Sequence, residues 1–208
     1  MPKKKIIVII LMILMVIGLI ISLTLIHSQK QQLQQAYDVI RLDMTRSVGD
    51  IQNQSRQIQG LIPETPDVSE SDRVWLWYWT NQLSAVFMRL REQRAPMTML
   101  GVTDSTLPGD GEAFLQLYGM LTGCCTVWRR YDQLEREDQE RFLAFYGRLM
   151  TKIRLSFDEI PTGSDLKTAV SQVDAQLIAL LDQLKAEDLY EEYRKLIVDL
   201  SPPLEAAP

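Results

Sequence analysis

Few residues in this chain are equipped to do chemistry, and their spacing argues against most catalytic designs. There is one histidine, His27, and the two cysteines are the adjacent Cys124 and Cys125. A lone histidine cannot build a metal site. Adjacent cysteines pair with each other only through a strained ring and cannot staple distant segments, and without a C-x-x-C spacing they match no redox or zinc motif. They read as small buried apolar residues, although outside the cell such thiols could cross-link two chains. The consecutive carboxylates Asp158-Glu159 and Glu191-Glu192 diverge on a helix, whereas acid and base work needs two carboxylates facing one substrate. No G-x-S-x-G, P-loop or dinucleotide fingerprint occurs. The expectation is a protein that is not an enzyme and holds no cofactor or metal.

What remains is aromatic. The run Val74-Trp75-Leu76-Trp77-Tyr78-Trp79 is the densest local feature. On a helix Trp75 and Trp79 share a face while Trp77 points about 200° away, so the three indoles cannot all enter one core facet. Either this helix is central and covered on several sides, or one of its sides is a contact surface. Tryptophan suits the second role because it offers large apolar area together with an N–H donor. Trp75, Trp77, Tyr78, Trp79 and Trp128 are therefore the candidate partner or ligand surface.

Smaller features have plainer readings. Arg89, Arg91 and Arg94 close the same helix, where positive charge suits the dipole. Asn53-Gln54-Ser55 matches a glycosylation acceptor but falls inside a predicted helix. Gly109-Asp110-Gly111 is a turn by composition.

These residues must be positioned by helices, and the first of them reads as a membrane anchor. Residues 6 to 26 contain no charge and are broken only by Gly18, Ser22 and Thr24. At about 1.5 Å per residue they span roughly 30 Å, the thickness of a bilayer's hydrocarbon layer. A cleavable signal would be shorter and end in a small-x-small site, which Leu25-Ile26-His27-Ser28 lacks. Lys3, Lys4 and Lys5 precede the segment, so the N-terminus is expected in the cytoplasm and the remainder outside. No lipidation motif is present, and lipid is met through residues 6–26 themselves. The apolar run 113–128 is too short to span and contains Gln116, so it is expected as a core helix.

From Gln31 to Gln59 the positions Leu33, Tyr37, Ile40, Met44, Val48, Ile51, Ser55 and Ile58 follow steps of four and three with one extra four. That is a heptad seam with a stutter, on a helix continuous with the anchor. The seam packs either on later helices of the same chain, the preferred reading, or on a second copy. Gly60, Pro63 and Pro66 end it.

Five further helices are expected. The first runs from Ser71-Asp72 to about Arg94, with a stripe of Trp75, Trp79, Leu83, Val86 and Leu90. A loop follows over 95–111. The second covers Glu112 to about Leu134, with Phe114, Leu117, Leu121, Cys124, Trp128 and Tyr131 inward; Gly119 and Gly123, four apart, admit a close neighbour. The third covers Arg136 to Phe157, with Phe142, Phe145, Tyr146, Leu149 and Ile153 inward, and Ile160 to Ser164 stops it. The fourth covers Asp165 to Lys185, with Leu166, Val170, Val173, Leu177, Leu181 and Leu184 on its face. A short fifth spans Asp188 to Leu200.

The organisation expected is a basic flank at 1–5, an anchor at 6–26, an amphipathic stalk at 28–60, a helical domain at 61–200 and a disordered tail at 201–208. The fold class is all-α, with an extracytoplasmic antiparallel bundle after a single transmembrane helix. Beyond Gln29 the chain carries 19 basic and 27 acidic residues, which excludes a nucleic-acid role. Acidic residues gather after Phe157 and are expected on a solvated face. The functional expectation is an envelope protein that binds another envelope protein or itself. The alternative is a sensory domain that binds a small ligand between Trp75, Trp79, Trp128 and Tyr131.

Overall fold

The computed structural model describes residues 2–101, 110–161 and 165–200, and the expected turns at 102–109 and 162–164 and the tail at 201–208 lie outside them. The described elements are all helical, without a strand among the described residues. α1 runs Pro2–Leu61, α2 Glu70–Glu92, α3 Arg94–Met99 and α4 Asp110–Arg129. A 3-10 turn at Tyr131–Gln133 precedes α5 (Arg136–Asp158), α6 (Leu166–Ala186) and α7 (Leu189–Leu200).

Local chemistry explains the boundaries. Ser69 caps α2 by accepting the Asp72 N–H at 3.1 Å, and Asp165 caps α6 by accepting the Thr168 N–H at 3.1 Å. Asp188 takes a left-handed φ of 55° between α6 and α7. The stretch expected as loop from residue 95 begins instead as the short helix α3, because Pro96 falls in its first turn, where a missing N–H breaks no bond.

The chain divides into two compact units, one up to Ile40 and one from Arg41 onward. The first unit is helical throughout its described length. Every large apolar side chain from Met12 to Ile26 is between 47% and 74% exposed. This is the opposite of a core helix, and by length and composition the segment can cross a membrane. Thr24 donates to its own Ile20 carbonyl at 2.8 Å, which satisfies the hydroxyl without water.

The second unit has a filled core. α4 runs through it with Phe114, Leu117, Met120, Leu121, Cys124 and Trp128 buried, so the apolar run 113–128 is a core helix. α2 and α4 pack closely along their length, and α5, α6 and α7 complete the core. α1 belongs to this core too: Met44, Ser47, Val48, Ile51, Ser55 and Ile58 are buried, and Gln52 Nε2 donates to the Phe157 carbonyl at 2.8 Å. The seam from Met44 to Ile58 thus packs on the chain itself, and the compact unit begins inside α1, ahead of the Gly60 and Pro63 breakers.

One expected stripe is offset. Trp75 is exposed and Trp79 only half-buried, while Leu76, Thr80, Leu83, Phe87 and Leu90 face the core of α2. The polar Thr80 fits there because its hydroxyl donates to the Leu76 carbonyl and meets the Tyr146 hydroxyl. Arg94 also differs from its expected role at a helix end, since it forms a bidentate pair with the buried Asp174 of α6. Not all of the acidic residues after Phe157 are merely solvated. Glu187, Glu192 and Asp199 pair with Lys152, Arg148 and Arg141, which lie along one face of α5.

Candidate functional site

The five aromatic candidates sit near the end of the second unit where α1 stops and α2 begins. They fall into two groups. Trp75, Tyr78 and Trp79 form a cluster on α2: Trp75 and Trp79 are stacked with centroids 6.3 Å apart, and Tyr78 stands edge-on to both at 5.8 and 5.1 Å. The cluster is open to solvent, with Trp75 48% and Tyr78 39% exposed beside a Val74 that is 56% exposed. Helical geometry makes this arrangement, because positions 75, 78 and 79 are neighbours on one flank of the helix.

Trp77 and Trp128 belong to a different feature, a surface cleft of about 470 Å³ between the start of α2 and the end of α4. Glu70, Arg73 and Trp77 supply one wall, at a helical spacing of three and four. Trp128, Arg129 and Asp132 supply the other. The Arg129 guanidinium lies over the Trp77 ring at 5.0 Å, and Arg73 bridges the walls to Asp132 at 3.0 Å. Trp128 is the floor. It is buried, and its ring packs edge-on to Phe142 and Tyr146 with centroids 4.9 and 5.1 Å away.

Hydrogen bonds tie the neighbouring elements of this end together. Tyr131 donates to the Pro66 carbonyl at 3.0 Å, and Gln139 Nε2 donates to the Tyr131 carbonyl at 2.8 Å. Arg136 reaches Asp67 at 3.4 Å. The segment between α1 and α2 is therefore held against the 3-10 turn and the start of α5.

Of the four residues expected to line a ligand pocket, Trp75, Trp79, Trp128 and Tyr131, only Trp128 lines this cleft. Trp75 and Trp79 face away from the cleft, and Tyr131 is buried beneath Trp128 with ring centroids 5.1 Å apart. Sequence reading missed Glu70, Arg73, Arg129 and Asp132. The 70–73–77 spacing on one helix face was a usable signal for half of them; the other half depends on tertiary packing.

The nearby thiols are poor nucleophiles. Burial pushes the Cys124 thiol up, with Cys125 adding to the effect, and burial pushes Cys125 up to about 12 despite the opposing charge of Arg129. Both side chains are buried, so neither is presented for cross-linking to another chain. Among the described residues no group of three metal-ligating side chains converges. What this end offers is aromatic area and a few fixed charges along the cleft.

No family model, curated protein or solved structure matches the chain.

Proposed function

We propose that this chain is a single-pass envelope protein with its N-terminus in the cytoplasm, whose extracytoplasmic antiparallel helical bundle docks another envelope protein. The observation that carries this reading is the solvent-open cluster of Trp75, Tyr78 and Trp79. Three large rings in mutual contact, two of them, Trp75 and Tyr78, left exposed on one flank of α2, are the kind of preformed apolar anchor that partner surfaces bury. The anchor is supported by the exposed apolar side chains from Met12 to Ile26, and the sidedness by the lysines ahead of the segment.

Affinity capture of the full chain from solubilised membranes tests this. A stoichiometric partner is expected with the native sequence and not with Trp75→Ala/Tyr78→Ala. Equal recovery with both, or recovery of nothing, overturns the proposal. Protection of the domain from protease in right-side-out cells, instead of digestion, overturns the sidedness.

A second reading is favoured by a separate observation, the Arg129 guanidinium stacked on Trp77 at the mouth of the cleft. There a small ligand with an anionic group and a flat apolar part would find both of its complements. A ligand screen read by thermal shift discriminates the two: Trp77→Ala abolishes a cleft ligand's effect and leaves partner capture intact.

A further inference from the structure

The cleft between α2 and α4 is lined by four charged side chains, Glu70, Arg73, Arg129 and Asp132, whose charges cancel. Arg73 and Asp132 neutralise each other across it at 3.0 Å. Glu70 and Arg129 are left over: both are exposed, and among the described residues neither has an ion-pair partner. The Arg129 guanidinium meets the Trp77 ring at 5.0 Å, a contact that uses its charge and leaves its fork of N–H donors available to a carboxylate.

These two charges are well separated. Glu70 and Trp77, the ring on which Arg129 lies, are seven residues apart on one face of α2, about 10 Å by helical rise. Between them stands Val74, which is 56% exposed, and beneath them lies the buried Trp128. The order along the cleft is therefore acid, apolar surface, cation.

We infer that the cleft takes a short peptide of about three residues, with its terminal ammonium at Glu70, its carboxylate at Arg129 and an apolar side chain against Val74 and Trp77. A simple anion gains little net attraction from a cleft whose charges cancel, whereas a dipolar molecule meets opposite charge at both of its ends. A single amino acid carries both charges on one α-carbon and cannot reach from one side chain to the other. Three extended residues at roughly 3.3–3.6 Å each cover about 10 Å. The cleft volume of about 470 Å³ also suits a ligand of that size. This inference rests on the ligand reading of the cleft given above and narrows it to a chain with charged termini.

Calorimetric titration of the full chain in detergent tests this, with the tripeptide Ala-Phe-Ala, its N-acetyl form, its C-terminal amide and free phenylalanine as probes. The free tripeptide is expected to bind at least ten-fold more tightly than each of the other three. In Glu70→Gln, acetylation should no longer cost affinity while amidation still does, and in Arg129→Gln the pattern should reverse. Blocked and free peptides that bind the native chain alike overturn the assignment of the termini, and phenylalanine that binds as tightly as the tripeptide overturns the span. Binding of indole-3-propionate, a flat anion, without binding of the tripeptide overturns this inference and leaves the ligand reading standing. Binding of neither removes both.

Discussion

The phenol of Tyr193 donates to the Gly119 carbonyl at 2.9 Å, and it lies where a side chain at position 123 would stand. A Cβ on Gly123 would meet the Tyr193 hydroxyl at 2.6 Å and Ile197 Cδ1 at 3.1 Å. Gly123 thus admits α7, whereas Gly119 has open space where a Cβ would stand. Gly123→Ala gains about 1 kcal/mol of helix propensity but suffers about 1–3 kcal/mol of overpacking, for a net loss on the order of 1 kcal/mol. Gly147 has open space around its α-carbon, and Gly147→Ala is expected to stabilise by about 0.5–1 kcal/mol. Thermal unfolding of the full chain in detergent, followed by circular dichroism, should show Tm shifts of opposite sign. Two shifts upward would mean that Tyr193 moves aside freely.

Arg94 and Asp174 form a bidentate pair on the flank of the core, with the guanidinium also 5.4 Å from the Phe114 ring centre. Asp174→Ala takes the bidentate carboxylate from a largely buried guanidinium and is expected to destabilise by about 3–5 kcal/mol. The double variant Arg94→Met/Asp174→Leu should recover most of that loss, because it removes the buried guanidinium together with its carboxylate. Urea unfolding midpoints of the three chains decide it; a double variant no better than the single one would refute the account.

Alkali should weaken the second unit before it affects the anchor. Burial raises Cys125, Tyr131 and Tyr193 to about 12, with the Asp67 charge adding to the effect at Tyr131 and Cys124 at Tyr193. Below the ordinary thiol and phenol values these groups are protonated in both folded and unfolded chains, and their contribution is fully present. Between those values and about 12 the unfolded chain ionises first, so stability falls with rising pH. Unfolding midpoints measured from pH 8 to 11.5 should decline, and Tyr193→Phe should make the decline shallower. A flat profile would show that these groups are as accessible as in the unfolded chain.

Trp75 and Trp128 should respond oppositely to the same treatment. Trp75→Ala removes a ring that is half in water and is expected to change stability by less than about 1 kcal/mol, while Trp128→Ala empties the floor of the cleft and costs about 3–5 kcal/mol. Acrylamide quenching separates them as well: Trp75→Phe should lose accessible emission and Trp128→Phe should lose protected emission.

Much of the helical layout was legible in the sequence because its signals are local. Apolar spacing and the breaker at Ile160 to Ser164 placed α5 and α6 within a residue of their observed limits. The register of α2 was not legible. A hydrophobic stripe drawn through Trp75 and Trp79 looks better than one drawn through Leu76 and Thr80, since Thr80 is polar. Its place in the core depends on the Tyr146 hydroxyl, which lies far away in the chain. The same limit applies to the cleft, whose walls come from two helices. Trp77 and Trp128 were visible as unusual residues, but nothing local to either says that Arg129 would lie on the first and that the second would be its floor.

The burial of Met44, Val48, Ile51 and Ile58 has a practical consequence for anyone cutting this protein. The conspicuous breakpoint is the proline-rich segment after Gly60, yet a recombinant fragment started there would discard one wall of its own interior. It should aggregate on expression. A fragment started at Arg41 keeps that wall and should remain monodisperse without detergent, which makes the first residue of the truncation, not the choice of host or buffer, the decisive variable.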